Sequence, residues 1–223
     1  MRKALLIEMA AKFMGGVLLS AALIFGAAGS FSYRQGWLLM AALFIPMLLA
    51  GIVMLLSRPE LLRKRLKAKE RQSVQIAVVA LSAVFFIVGF VLAGLSYRFG
   101  WPMLPMWVSR VAAVVLLLAY AVFAEVLREN EFLSRAVEIQ ENQRVVDTGL
   151  YGVVRHPMYG AILILFLSMP LVLGSWQSFL VFLLYPILIV KRIENEEQVL
   201  EAGLEGYTAY KQRVRYRVIP LIW

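Results

Sequence analysis

Along the chain, long runs without charge alternate with short polar intervals. The windows 13–29, 36–56, 74–95 and 107–127 are apolar, interrupted only by Arg110 and Glu125 near the ends of the last. Each is close to the roughly 20 residues a helix needs to cross a bilayer, where it satisfies its own backbone polar groups. A fifth apolar stretch, 158–190, is too long for one crossing and contains Pro170, Gly174, Ser175 and Pro186. It predicts a hairpin of two short helices that turns near 174–177 and returns to its own side. The expected fold is an all-α integral membrane protein: four transmembrane helices plus a C-terminal helical hairpin.

The polar intervals divide the chain into a four-span region, 1–127, with a basic cytosolic loop at 57–73, and a second region, 128–223. In the loop a short surface helix is expected to start at Pro59, a residue suited to a first helical position. From Glu138 to Val146 the side chains alternate as in a short β element around a polar turn at Glu141 and Asn142. Beyond Lys191, the apolar residues Ile193, Leu200, Leu204 and Tyr207 have the spacing of an amphipathic helix, interrupted at Gly203 and Gly206. A hairpin that begins and ends on one side forces these two polar segments to meet at its base.

Composition sharpens this. Of 223 residues, 61% are hydrophobic and the mean hydropathy is +0.77, which excludes a soluble domain. With the N-terminus inside, every basic residue except Arg34, Arg98 and Arg110 falls on the cytosolic side. The expectation is a multi-pass protein of the bacterial inner membrane or an equivalent membrane, with both termini cytosolic. The net charge of +9 then reflects attraction to anionic lipid head groups and not to nucleic acid. Arg2 and Lys3 ahead of an apolar run suggest a signal peptide, but Lys12 and the lack of a small-residue cleavage site favour a retained helix. Cysteine is absent, so disulfides and thiolate metal sites are excluded, and no metal site is expected. Trp37, Trp101, Trp107 and Trp176 fall at outer ends of spans as belt anchors, with Trp223 on the inner side. The methionines read as adaptable packing, and Glu125 either serves function or pairs with Arg128.

Candidate chemistry concentrates at the two ends of the hairpin. At its entrance Pro157 can open a helix, which places His156, the one histidine, at the N-cap and Arg155 just outside it. That end of a helix attracts an anion. Tyr159 follows within a turn, and Gly149 and Gly152 let backbone approach a ligand. At the exit Glu194, Glu197 and Glu201 share a helical face, with Glu196 about 100° away. A site with an anion-binding half and a cation-binding half suits S-adenosyl-L-methionine, which carries a carboxylate, an ammonium and a sulfonium. No G-x-G occurs, so a Rossmann-type turn is not how such a ligand would be held.

The run Arg155-His156-Pro157-Met158-Tyr159 is followed by Glu196-Glu197 with Leu200, by Tyr207 and Tyr210, and by Arg217-Val218-Ile219-Pro220. Together these resemble the isoprenylcysteine carboxyl methyltransferase and phospholipid methyltransferase group of membrane enzymes. Arg58-Pro59-Glu60-Leu61-Leu62 and Glu129-Asn130-Glu131-Phe132 are similar to its bacterial members. The resemblance is specific over 129–220 and general over the first three spans; Leu150 departs from it, standing where many relatives have proline before the tyrosine. It implies a five-span-type fold with a small cytosolic region that binds S-adenosyl-L-methionine, and a lipidic acceptor that comes in sideways from the bilayer. By matching position it makes His156, Tyr159 and Glu197 cofactor contacts, with Gly149 and Tyr151 beside them, and Arg155 and Glu196 supporting or catalytic.

The implied reaction is displacement at the sulfonium methyl. A carboxylate acceptor needs no base, whereas an amine would need Glu196 or Glu197 to take a proton. Acceptors are expected to come between the fourth helix and the hairpin, past Leu163 and Leu167. Prenylcysteine, phosphatidylethanolamine, a quinone-like lipid and a small thiol all remain open as acceptors, as does oligomeric state. Two other readings compete: a membrane NADPH-dependent reductase of the sterol-reductase type, which shares Arg-His-Pro-x-Tyr but on a much longer chain, and a non-catalytic lipid-binding protein.

Overall fold

The ends of the helices Arg34–Ser57, Ser73–Arg98 and Met106–Glu129 fall where the sequence changes polarity. The computed structural model describes residues 2–67, 70, 72–133 and 136–223; Lys69, Arg71 and Arg135, all counted above as cytosolic charges, lie outside the described residues. In order the helices are α1 (Arg2–Ala21, extended by a widened turn over Ala22–Gly26), α2 (Arg34–Ser57), α3 (Pro59–Lys67), α4 (Ser73–Arg98) and α5 (Met106–Glu129). Then follow α6 (Pro157–Val172), α7 (Trp176–Phe182), α8 (Tyr185–Gly203) and α9 (Tyr207–Arg213). Five stretches are long and apolar enough to cross a membrane: Lys3–Gly26, Arg34–Ser57, Ser73–Arg98, Met106–Glu129 and Trp176–Gly203. The protein is all-α and multi-pass.

α1 starts about three turns before the apolar window, with Lys12 inside it. That amine pairs with Glu8 at 2.9 Å and donates to the Leu66 carbonyl of α3, so its charge lies against the surface helix instead of in lipid. α3 begins at Pro59 as expected and docks Leu62 against Leu5 and Met9 of α1. The bundle core brings Leu39, Phe90, Leu116, Met169 and Phe182 together from α2, α4, α5, α6 and α7. Small residues allow the closest crossings: a Cβ on Gly89 would lie 2.4 Å from the Phe182 ring, and one on Gly94 2.5 Å from the Ile24 carbonyl.

α6 and the α7–α8 arm form the hairpin. Gly174 turns it at φ +70, and Ser175 caps α7 by accepting from the Ser178 N–H at 3.2 Å. The turn is pinned to the end of the bundle remote from α3 and α9 by the Leu104 N–H, which donates to the Gly174 carbonyl at 2.8 Å. The return arm is longer than two short helices would give. It pauses after Phe182, restarts at Tyr185 with Pro186 in the first turn, and continues as α8 beyond its apolar part to Gly203. Trp37, Trp101, Trp107 and Trp176 are all exposed at the ends of spans.

Between α5 and α6 the expected β alternation is not realised: among the described residues there is no strand. The polar turn is present, closed by the Gln143 N–H donating to the Gln140 carbonyl at 3.1 Å, with Asn142 at φ 57. Its flanks are held by side chains instead of a ladder. Gln143 accepts from the Gln140 N–H at 2.8 Å, and Val145 packs with Leu204 and Tyr207. Glu125 is engaged by Arg128 through Nε at 2.8 Å and Nη2 at 2.5 Å, the local pair.

Candidate functional site

One buried carboxylate organises the base of the hairpin. Tyr185, Ile189, Ile193 and Glu197 recur every four residues on α8 and are all buried, so Glu197 continues an apolar stripe. Its charge is met from both ends of the second region. Arg155 donates to it from Nε at 2.7 Å, and His156 Nε2 lies 3.1 Å from the same oxygen. Arg217 reaches the other oxygen at 3.0 Å, with Lys211 at 3.8 Å. The Arg155 and Glu197 side chains are only 4% and 3% exposed.

Arg155 also donates to the carbonyls of Val214 at 2.8 Å and Arg215 at 2.7 Å, while its own N–H and that of His156 bond the Tyr216 and Arg217 carbonyls at 2.9 and 2.7 Å. Pro157 opens α6 with His156 at the N-cap. The two ends of the hairpin are therefore neighbours, clamped together with the tail.

Glu196, one residue earlier, points elsewhere. It accepts from the Tyr159 hydroxyl and lines a cleft with about 800 Å³ of free space, part of it open to solvent. Arg155, His156, Met158, Tyr159 and Arg192 also line this cleft, and Phe132, Val137 and Leu204 give it an apolar wall. Three further tyrosines, Tyr151, Tyr207 and Tyr210, complete it; burial pushes all three phenols up, so they stay neutral at ordinary pH. Tyr210 donates to the Tyr151 carbonyl at 2.8 Å, whereas among the described residues the Tyr207 hydroxyl is buried without a partner.

A second, open groove lies among the spans, about 1500 Å³ when the open space at its mouth is included. Ile76 and Val79 of α4, Phe123 of α5, Ile162 and Phe166 of α6 and Ile189 of α8 are among the apolar residues that line it. Met158, Tyr159 and Arg192 border both spaces. Phe123 of the fourth span and the hairpin helices flank the groove as expected from sequence, but α4 forms much of its wall, and Leu163 and Leu167 of α6 are partly buried in the packed clusters and line neither space.

The structure thus brings His156, Tyr151, Tyr159 and Glu196 to the cleft and sets three expected site residues back from that role. Glu197 lies behind the wall because Arg155, His156, Lys211 and Arg217 enclose it. Arg155 reaches the cleft, but its guanidinium is engaged by Glu197 and two carbonyls. Gly149, at φ +53, borders no ligand space; a Cβ there would lie 1.6 Å from Glu129 Oε1, whose carboxylate accepts from the Leu150 N–H at 3.0 Å.

Sequence reasoning missed Arg192 as a site residue. Its Nε donates to the Tyr159 hydroxyl at 3.0 Å, and Nη2 to Glu70 at 2.6 Å. The available signal was its place four residues before Glu196, one turn away on the same face.

The helical bundle thus sets a charged, tyrosine-walled cleft beside an apolar groove among its spans. Residues 107–202 match the model of the isoprenylcysteine carboxyl methyltransferase (ICMT) family. The match takes in Arg155, His156, Tyr159, Arg192, Glu196 and Glu197. No curated protein matches the chain.

Proposed function

We propose that this protein transfers a methyl group from S-adenosyl-L-methionine to the carboxylate of a lipidic acceptor of the isoprenylcysteine kind, with the basic face of the bundle in the cytosol. One observation carries the reading: the polar cleft and the apolar groove meet at Met158, Tyr159 and Arg192, so a water-soluble ligand and a lipidic one can approach from opposite sides of the same three side chains.

The cleft suits the methyl donor on its own chemistry. Glu196 offers a carboxylate to an ammonium or sulfonium, neutral phenols wall the space for a purine, and the unpartnered Tyr207 hydroxyl awaits a polar group. Tyr151, His156, Tyr159, Glu196 and Tyr207 would hold it. When bound, S-adenosyl-L-methionine supplies a sulfonium methyl open to displacement by a carboxylate oxygen. An ionised acceptor is already the nucleophile, so the chain's residues align and exclude water and need remove no proton. Alignment of this kind contributes up to about 7–11 kcal/mol. Arg65 and Arg192 both line the groove; Arg192, which also borders the cleft, orients the acceptor's carboxylate, and Tyr159 fixes Arg192 and Glu196 to one another. Arg155 and Glu197 act as positioning residues that lock the entrance, α8 and the tail into the cleft's shape.

The test is incubation of membranes containing the protein with methyl-labelled S-adenosyl-L-methionine and an S-prenylated N-acetylcysteine. A base-labile labelled ester that disappears in Glu196→Gln is the expected result. Labelling that persists only with an amine headgroup would move the acceptor class. Binding of NADPH, with none of S-adenosyl-L-homocysteine, would overturn the reading in favour of a reductase.

A further inference from the structure

Glu70 lies in the interval between α3 and α4, outside any helix, yet its carboxylate is almost withdrawn from water. One oxygen accepts from Arg192 Nη2 at 2.6 Å and the other from the Val137 N–H at 3.1 Å, with side-chain exposures of 11% for Glu70 and 13% for Arg192. It lines the groove and not the cleft, whereas Arg192 borders both. A lipidic anion that moved up the groove would meet Arg192 with a carboxylate already on it.

We infer that Glu70 is an internal stand-in for the acceptor's carboxylate: it occupies Arg192 in the acceptor-free protein and gives way to the acceptor, setting the threshold for anionic acceptors. This inference rests on the proposed reading only in the acceptor's anionic character. A buried guanidinium left without an anion is strongly disfavoured, so Arg192 needs a carboxylate at all times. Exchange of one carboxylate for another keeps the charge of the pocket constant, and Glu70, itself outside any helix, can give way without unwinding a span. Its second bond makes the exchange visible elsewhere. Val137 belongs to the cleft wall, and α3 beside it also holds the segment that carries that wall, through Lys64, which donates to Gln140 at 3.1 Å, and through Arg65, which donates to the Leu133 carbonyl at 3.4 Å. Release of Glu70 frees the Val137 N–H, so arrival in the groove is felt in the cleft.

The experiment measures binding, not turnover, so a failure of the methyltransferase reading does not touch it. Protein in nanodiscs of phosphatidylcholine is titrated with radiolabelled hexadecanoate and with hexadecanol, against empty discs. Glu70→Gln keeps an oxygen for Val137 but loses the charge. It is expected to tighten hexadecanoate by about fivefold or more, because an internal competitor has been weakened, and to leave hexadecanol and S-adenosyl-L-homocysteine unchanged. Glu70→Asp keeps the charge and is expected to bind hexadecanoate as the wild type does. Equal hexadecanoate affinity in wild type and Glu70→Gln overturns the inference, as does the absence of saturable hexadecanoate binding to either protein. A Glu70→Gln variant that loses thermal stability and S-adenosyl-L-homocysteine affinity without gaining hexadecanoate shows a purely structural carboxylate, which also overturns it.

Discussion

Replacement of Glu197 by Gln tests the base of the hairpin most directly. The substitution keeps shape and hydrogen-bonding oxygen but removes the charge that Arg155, His156, Arg217 and Lys211 converge on. Arg217 and Lys211 are partly exposed and can turn to water; Arg155 is enclosed and cannot. A buried ion left without its partner costs about 3–5 kcal/mol. For a chain of this size each kcal/mol moves the melting temperature by about 2–4 °C, so Glu197→Gln should melt about 6–20 °C below wild type. Intrinsic tryptophan fluorescence in detergent follows it, since Trp223 lies beneath Arg217, with Cζ 5.3 Å from its ring centroid. The paired variant Arg155→Met/Glu197→Leu removes both charges and should lose at least about 1 kcal/mol less than the two single changes combined. Strict additivity, or a Glu197→Gln protein that melts with the wild type, would refute the idea that this carboxylate holds entrance, helix and tail together.

Tyr207→Phe should leave the melting temperature unchanged, because the hydroxyl has no partner among the described residues, and weaken S-adenosyl-L-homocysteine about 3–10-fold by calorimetry, the worth of one hydrogen bond. Burial raises the Tyr151, Tyr207 and Tyr210 phenols, so at high pH the unfolded chain loses protons that the folded one keeps. Stability should therefore fall as pH rises above about 10, and melts across that range should fall less steeply for Tyr207→Phe. Gly149→Ala should destabilise by more than about 1 kcal/mol in the same melts, since its Cβ would strike Glu129 at a left-handed φ. Val79→Trp, placed in the groove, should raise KM for a long-chain acceptor while Leu163→Trp does not; the reverse would restore the α5–α6 route.

Much of this architecture is legible in the sequence because it is local. A polarity period marks each span, Pro157 announces the start of α6, and Gly174 its turn. The hairpin's closure follows from length alone, and with it the meeting of Arg155 and His156 with the glutamates. Which glutamate faces the cleft is harder. The spacing of Glu194, Glu197 and Glu201 suggests a working face, but the stripe Tyr185, Ile189, Ile193 already shows that position 197 turns inward. The partnership of Glu70, Arg192 and Val137 joins three segments far apart in sequence, and no periodicity encodes it. The alternation from Glu138 to Val146 misleads because a strand needs a neighbouring strand to bond with, and among the described residues this segment has none.

The side chains of Met158, Tyr159 and Arg192 stand as a partition one residue thick between an aqueous compartment and an oily one. On the proposed reading, two reagents with no common solvent need never leave their own phase to react across it. Such a partition dictates what can be varied in evolution: the oily side may be recut for a new tail and the aqueous side left alone, so long as the partition keeps its thickness.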